Sequence, residues 1–464
     1  IGTMHMRTGL DISSWGEREY KNHLKSGISD INNNNIPQYS AVIPEYVKCF
    51  TEHLRSVDYF CTNNAKTDYQ FAAPVTAWDE NNNKAHCRNR PKHKSFFSVF
   101  NIGTTHESQL WKKSNLPLTV DPKDVNVPPY LPDNNATRNT IARHYSNVEL
   151  MDAEVGVIIK QLKEDGLYDN TIIFFYSDHG GPLPRQKREI YDSGLKVPFI
   201  IKDLKGTKGR TDQMISFVDL APTILSLAEI NPPKYMEGKA FLGPYASKIR
   251  DYIFGSSDRF DEYTDRIRAV RNKQFLYLKN DYPKLPKYKD ASYRKQVPMM
   301  PVFLDLQKNG KLNEVQEIWF NNKTNEELYD CIIDPHNINN LAQNPEYAHV
   351  LNDMRKLFSK HSQNIPDLGK IPEAELINTM WPNFEQPVTI DVKVNKKDNE
   401  VVLTSETKGA SIAYFISDNP NESLNFDSNW KLYTKPFKVE KGSFVFAMAQ
   451  RIGYKESSIT KTPI

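Results

Sequence analysis

Residues 171–201 read TIIFFYSDHGGPLPRQKREIYDSGLKVPFII. Thr171–Tyr176 is an apolar, β-branched and aromatic run of strand length, and Val197–Ile201 is a second. Between them Ser177-Asp178-His179-Gly180-Gly181 breaks the pattern. The expected arrangement is two buried strands flanking a polar loop, and open α/β sheets bind ligands outside the carboxyl ends of their strands. Asp178 supplies a hard carboxylate oxygen and His179 an imidazole. Gly180 and Gly181 let the backbone turn and approach a ligand closely. Lys187 follows nine positions after Asp178, with Arg185 and Arg188 around it. Anionic donors and cations on one loop suit metal-assisted chemistry on an oxyanion such as sulfate or phosphate. An ordinary strand-end turn with a capping Asp accounts for Asp178 and the glycines. It leaves the cations unexplained.

Upstream, Ala136–Gly166 is the longest helical stretch, with Ile141, Tyr145, Val148, Met151, Val155, Ile158, Ile159 and Leu162 as its apolar face. A helix leading into the Thr171 strand is half of a βαβ unit and predicts a parallel sheet. Ser95–Ile102 (SFFSVFNI) is another buried-strand candidate. It ends in Gly103-Thr-Thr-His106-Glu107, so His106 stands just past a strand's carboxyl end, as Asp178 does. From Ile43 to Leu54 apolar residues recur at helical spacing. A short strand and a polar loop bearing Lys66 follow. Residues 1–45 read as loop, and the Pro-rich 121–134 stretch as an ordered loop.

Downstream, Phe217–Ala228 is helical, with Asp219 near its start. Two strands lie around Tyr252–Phe254 and Phe275–Leu278. Between them Asp258, Arg259, Asp261 and Glu262 form either a substrate-facing loop or a solvated charged turn. A helix spans Tyr347–Ser362. Near Pro382 the texture changes to short alternating strands, Thr389–Val394, Glu400–Thr404, Ala413–Ile416 and Phe444–Ala449. These predict a small all-β sandwich over 385–464, behind an α/β domain over 1–380. The tail carries no acid–base constellation, which leaves it packing or ligand binding.

A chain of 464 residues exceeds what one core usually supports. A mean hydropathy of −0.62 describes a soluble chain, and no apolar run approaches the ~18 residues of a membrane helix. The net charge of +3, from 60 basic and 57 acidic residues, gives no reason to invoke nucleic acid. Cys49, Cys61, Cys87 and Cys331 form no C-x-x-C pair, so a zinc site is not expected. A Cys49–Cys61 disulfide and free buried thiols both remain open. The first residue is Ile and no signal peptide is visible, so the chain reads as processed or cut.

These residues resemble the type I sulfatases of the alkaline-phosphatase superfamily, especially bacterial heparan N-sulfatase-like (sulfamidase-like) members. The resemblance covers roughly residues 1–375. It rests on Ile1-Gly-Thr-Met-His-Met-Arg7, the Lys66 loop, Thr105-His106, Asp169-Asn-Thr171 ahead of Ser177-Asp-His-Gly180, and Phe217–Ala228. Glu327-Leu-Tyr-Asp330, Asp334-Pro335 and Asn340-Leu-Ala342 extend it. The tail resembles the chitobiase-C-terminal or fibronectin-III-like modules appended to such enzymes.

The resemblance implies an α/β, alkaline-phosphatase-like sheet sandwiched by helices, and hydrolysis of a sulfate ester or N-sulfate on a glycan such as heparan sulfate. It implies a calcium ion on the sulfate oxygens, with Asp178 and His179 at two metal-ligand positions. It implies a formylglycine nucleophile. Lys66 matches the lysine that contacts nucleophile and sulfate. His106 matches the histidine serving the leaving group, and Lys187 the cation gripping sulfate from the other side. Arg185, Asp258, Arg259 and Asp261 are the expected sugar contacts. Oxygen-rich anionic sites suit calcium, and cations stabilise charge on the transferring group. His179 is an unusual calcium ligand, so another divalent metal also fits.

The family's C/S-x-P-x-R motif does not occur in the sequence. The nucleophile and the first strand, with two further Asp ligands, are expected upstream of Ile1. By itself the chain is then expected to be inactive. Family habit implies a bacterial periplasm or cell surface. A phosphodiesterase or phosphonate hydrolase of the same superfamily, and a non-catalytic glycan-binding protein, are the rival readings.

Overall fold

The computed structural model describes residues 28–464 apart from 38, 249, 261–262, 364, 398–399 and 427. The Ile1–Arg7 motif, Asp261 and Glu262 therefore lie outside the described residues.

Helix α1 spans Phe50–Ser56. It starts later than the spacing from Ile43 suggests, because Pro44 steers the residue before it away from helix. Val47 N–H closes a turn on the Pro44 carbonyl instead, at 3.0 Å. Glu52 then caps the helix by accepting from Cys49 N–H at 2.9 Å. Strands β1 (Phe60–Asn64), β2 (Glu80–Asn81) and β3 (Phe96–Phe100) form a parallel sheet in the order β2-β1-β3.

Helix α2, Asn135–Glu164, is bounded by local signals that the sequence states openly. Asn134 Oδ1 accepts from Thr137 N–H at 3.0 Å, and Gly166 past the other end takes a left-handed φ of 66°. Its expected apolar face is only partly covered. Ile141 and Leu162 are buried, whereas Tyr145 and Val148 are exposed. The buried strip is displaced toward Thr137, Thr140, Ala142, Arg143, Ser146 and Asn147, where small residues permit close approach.

Strands β4 (Ile173–Tyr176) and β5 (Phe199–Lys202) correct the expectation built on the Thr171 stretch. They pair with each other and antiparallel, Phe174 opposite Ile201. The intervening loop folds back on itself, so no crossover helix is needed. Nor are the two strands fully buried: Ile200 is 61% and Tyr176 40% exposed.

Helix α3, Leu220–Leu227, follows a 3₁₀ turn at Phe217–Asp219. Buried Asp219 accepts from Ser216 N–H at 2.9 Å and Lys239 N–H at 2.7 Å. Strands β6 (Tyr252–Ser257), β7 (Ile267–Asn272), β8 (Phe275–Asn280) and β9 (Glu326–Asp330) form an antiparallel sheet in the order β9-β8-β7-β6. Helix α5 (Ala348–Ser362) packs against β7 and β8 of this sheet, and helix α4 spans Met300–Lys308. In the tail, β10 (Lys393–Lys397) pairs with β11 (Glu400–Thr404). A second sheet has the order β13-β12-β14-β15, from Ser411–Ser417 (β12), Lys431–Leu432 (β13), Phe444–Gln450 (β14) and Thr460–Pro463 (β15).

The class is α/β, with its sheets mixed in direction. The chain divides into two compact units. One holds residues up to 101, 215–249 and 370–464. Within it Val392, Val401, Leu403, Val445, Ala447 and Ala449 join the two tail sheets through one apolar core. Leu54, Cys61, Ala221, Leu225 and Met236 form a second core, under α1 and α3. The other unit holds 102–214 and 250–369. Its main core gathers Leu110, Leu131, Ile141, Met299, Met300, Phe303 and Trp319.

All four cysteines are buried free thiols, which closes the Cys49–Cys61 alternative. Burial pushes the Cys49 and Cys61 thiols far up, and that of Cys331 up to about 12. None of these three is poised as a thiolate.

Candidate functional site

The loop after β4 carries the polar residues of the 171–201 stretch. Ser177 Oγ donates to the His179 carbonyl. His179 Nδ1 lies 2.7 Å from the Gly180 carbonyl. A carbonyl can only accept, so Nδ1 carries the proton and Nε2 keeps its lone pair. Nε2 lies 3.6 Å from Asp178 Oδ1, whose side chain is 64% exposed. Two neighbouring donors thus face outward from a strand end.

The loop then doubles back. Gly180 N–H donates to the Gly194 carbonyl at 2.8 Å, and Lys187 N–H to the Gly181 carbonyl at 3.0 Å. There is no room for a side chain at Gly180, since a Cβ there would sit 1.9 Å from the Ser193 carbonyl oxygen. Gly180→Ala is expected to displace the loop and lower stability by about 1–3 kcal/mol, the usual cost of overpacking. Thermal unfolding of the variant checks this; an unchanged midpoint with unchanged activity would show that the loop yields freely.

Lys187 is bracketed by two arginines in left-handed conformations, Arg185 at φ 59° and Arg188 at φ 74°. Non-glycine residues hold that region only when their surroundings enforce it, and here both guanidinium groups are tethered. Arg185 donates to the carbonyls of His336 and Asn337, at 2.6 Å each. It is stacked against Tyr130 and Tyr191, 4.7 and 4.4 Å from their ring centres. Its side chain is fully buried. Arg185 is thus a buried brace of the loop. Arg188 gives a forked pair of hydrogen bonds to Glu107, at 2.8 and 2.7 Å. Both partners of that pair are buried.

Lys187 itself points at His106, with Nζ 3.2 Å from Nε2. It also lies 3.4 Å from Glu107 Oε2. On the far side of the ring, His106 Nδ1 lies 2.8 Å from Ser108 Oγ, which can accept its proton, and 3.2 Å from Ser108 N. The Lys187 ammonium can only donate, so His106 Nε2 accepts in their contact. The remaining N–H groups of the ammonium are donors an oxyanion oxygen can use. Glu107 keeps its carboxylate: burial alone raises its pKa, but Arg188, Lys187 and Arg294 together hold it below the ordinary value.

Lys66 belongs to the other unit. It follows the carboxyl end of β1, where Asn63 Nδ2 donates to its carbonyl at 2.9 Å. Its ammonium pairs with Asp68 at 3.1 Å and is 44% exposed. Asp258 and Arg259 are buried rather than set on an open loop. Asp258 accepts from Arg268 at 3.0 Å, and Arg268 also reaches Asp367 at 2.7 Å. At Asp258 and Arg259 this burial corrects the solvated turn, and Asp258 is one member of a buried charge cluster. Sequence reading missed Glu107, Tyr293 and Arg294. Tyr293 packs edge-on to His106, with centroids 6.2 Å apart. Arg294 donates to the Lys187 carbonyl at 3.2 Å and pairs with Glu189 at 2.9 Å. Only the His106-Glu107 adjacency was a usable signal; the others come from a distant segment without a motif.

The described residues do not complete a metal site. Calcium takes about 6–8 oxygens, and among the described residues no group of three or more His, Cys, Asp or Glu converges. Asp178 and His179 offer two donors, and no step below is routed through a metal. Among these residues no helix is long and apolar enough to cross a membrane.

The sequence pattern of the sulfatase family matches residues 32–230, and that of the N-sulphoglucosamine sulphohydrolase C-terminal region matches 185–291. The chain is 43% identical to an ulvan-active sulfatase of Formosa agariphila, over 97% of this chain and 81% of that protein. It is 27% identical to human N-sulphoglucosamine sulphohydrolase, over 58% of this chain and 57% of that protein. Among solved structures, a 2-O GAG sulfatase superposes with a TM-score of 0.48 at 16% identity, covering 70% of this chain and 76% of that one.

Proposed function

The chain belongs to the sulfatase family, and from that premise we propose that it hydrolyses sulfate esters on a sulfated polysaccharide. Water adds across the ester: the sugar regains its hydroxyl and sulfate departs. In this reading Lys187 holds the sulfate oxygens. His106 is the acid that gives a proton to the leaving sugar oxygen. The observation that supports this best is the 3.2 Å hydrogen bond from Lys187 Nζ to His106 Nε2, which sets a cation beside an acid–base group. The reading also includes the calcium ion and formylglycine that the family resemblance implies. Export to the periplasm or cell surface belongs to it too, since a polymeric substrate is met there.

Ulvan-type O-sulfate is the first substrate to test, because the 43% identical relative acts on ulvan. A second reading, an N-sulfated glucosamine, is favoured by the match of residues 185–291 to the N-sulphoglucosamine sulphohydrolase C-terminal region. Released sulfate should be measured by ion chromatography from ulvan oligosaccharides and N-sulfated heparan fragments, beside phosphate from a phosphonate monoester. Sulfate from ulvan supports the first reading, and sulfate from the heparan fragments alone the second. Turnover confined to the phosphonate would overturn both.

A further inference from the structure

Glu107 stands at the centre of the cationic cluster and has no part in the chemistry above. Its carboxylate is buried and takes three cationic contacts, two from Arg188 and one from Lys187. Arg188 is fixed in turn, lying over the rings of Phe260 and Tyr293 at 5.3 and 5.8 Å. The Arg188 carbonyl accepts from buried Lys289 at 3.1 Å. Glu107 is therefore held on one side by a rigid guanidinium. On its other side lies the flexible stem of Lys187. Without that carboxylate the Lys187 ammonium loses an anion 3.4 Å away, while Arg188, which shares Glu107, stays as a like charge. Like charges and burial both lower a lysine's pKa, and an adjacent carboxylate raises it.

We propose that Glu107 is the positioning residue for Lys187, holding its ammonium protonated and aimed at His106 while Arg188 fixes the carboxylate. This rests on the reading of Lys187 as the cation that grips sulfate. Glu107 touches no reacting atom; it acts through Lys187.

The test uses the full-length natural polypeptide and inorganic sulfate as the probe, with affinity measured by calorimetry from pH 6.5 to 10. Wild-type affinity is expected to fall on the alkaline side as Lys187 loses its proton. Glu107→Gln is expected to weaken sulfate binding by about 5- to 10-fold near neutral pH and to move the alkaline fall down by about one pH unit. Because Gln removes the carboxylate that Arg188 holds, the double variant Glu107→Gln/Arg188→Met supplies a second reading with that cation removed as well. Glu107→Asp should recover part of the alkaline range. A purely structural role for Glu107 would shift the melting temperature and leave that limb where it is. If Lys187→Ala abolishes sulfate binding while the double variant matches wild type at every pH, the role of Glu107 falls and the sulfate grip stands. If Lys187→Ala keeps wild-type affinity, both fall.

Discussion

Lys187→Ala is expected to lower kcat/KM for sulfate release by about 100- to 1,000-fold, the range found when a preorganised group facing developing charge is removed. The loss should appear with little change in stability. Lys187 contributes a side chain 13% exposed to a cluster in which Glu107 retains both hydrogen bonds from Arg188. No buried charge is left unpaired, so the large penalty of a broken buried ion pair is avoided. Lys187→Arg should recover only part of the activity, because a planar fork cannot reproduce a point charge 3.2 Å from His106 Nε2. Steady-state kinetics on the substrate that releases most sulfate, beside a calorimetric melt, decide the matter. A variant retaining near-wild-type kcat/KM would remove Lys187 from the chemistry.

The same cluster shows where sequence reading stops. Asp178, His179 and Lys187 were legible because strand end, glycines and cations follow one another in 171–201. The same local logic did not show that Arg185 is a buried brace. What buries Arg185 is the pair of carbonyls at His336 and Asn337, about 150 positions downstream. Nothing local to a cation in a loop reveals whether acceptors from elsewhere in the chain surround it. Glu107 was overlooked for the mirror-image reason. Its partner Arg188 is 81 positions away, and a Glu following a His reads as an ordinary surface residue.

Legibility of the fold divides along the same line. Helix α2 was clear because Asn134 and Gly166 mark its ends by chemistry confined to a few residues. The tail strand Glu400–Thr404 was clear because alternation shows through a half-buried strand. Strand β7 was hidden, since Ile267–Asn272 places Arg268 and Arg271 inside an apolar run. Each arginine is neutralised by a distant carboxylate, Arg268 by Asp367 and Arg271 by Asp192. The direction of β5 was misjudged because helix-then-strand order says nothing about which strand accepts the next one.

The largest loss of stability is expected from Trp319→Ala. Trp319 is 1% exposed. It stacks on Phe303 with centroids 5.7 Å apart, meets Tyr288 edge-on at 5.0 Å and touches Phe320 at 5.6 Å. Truncation removes the centre of the main core of its unit, which aromatic neighbours cannot refill from their fixed positions. The expected cost is about 3–5 kcal/mol, as for other buried tryptophans. Trp319→Phe should cost much less, since it keeps a ring between Phe303 and Tyr288. The effect should also reach the loop. The guanidinium of Arg294 lies over Trp319 at 5.0 Å and donates to the Lys187 carbonyl. Denaturant unfolding of both variants gives the energy, and kcat/KM at a temperature where both stay folded gives the coupling. A destabilisation under about 1 kcal/mol would mean that the cluster collapses into the space. Unchanged kcat/KM in the folded alanine variant would mean that Arg294 keeps its hold on the loop without the ring beneath it.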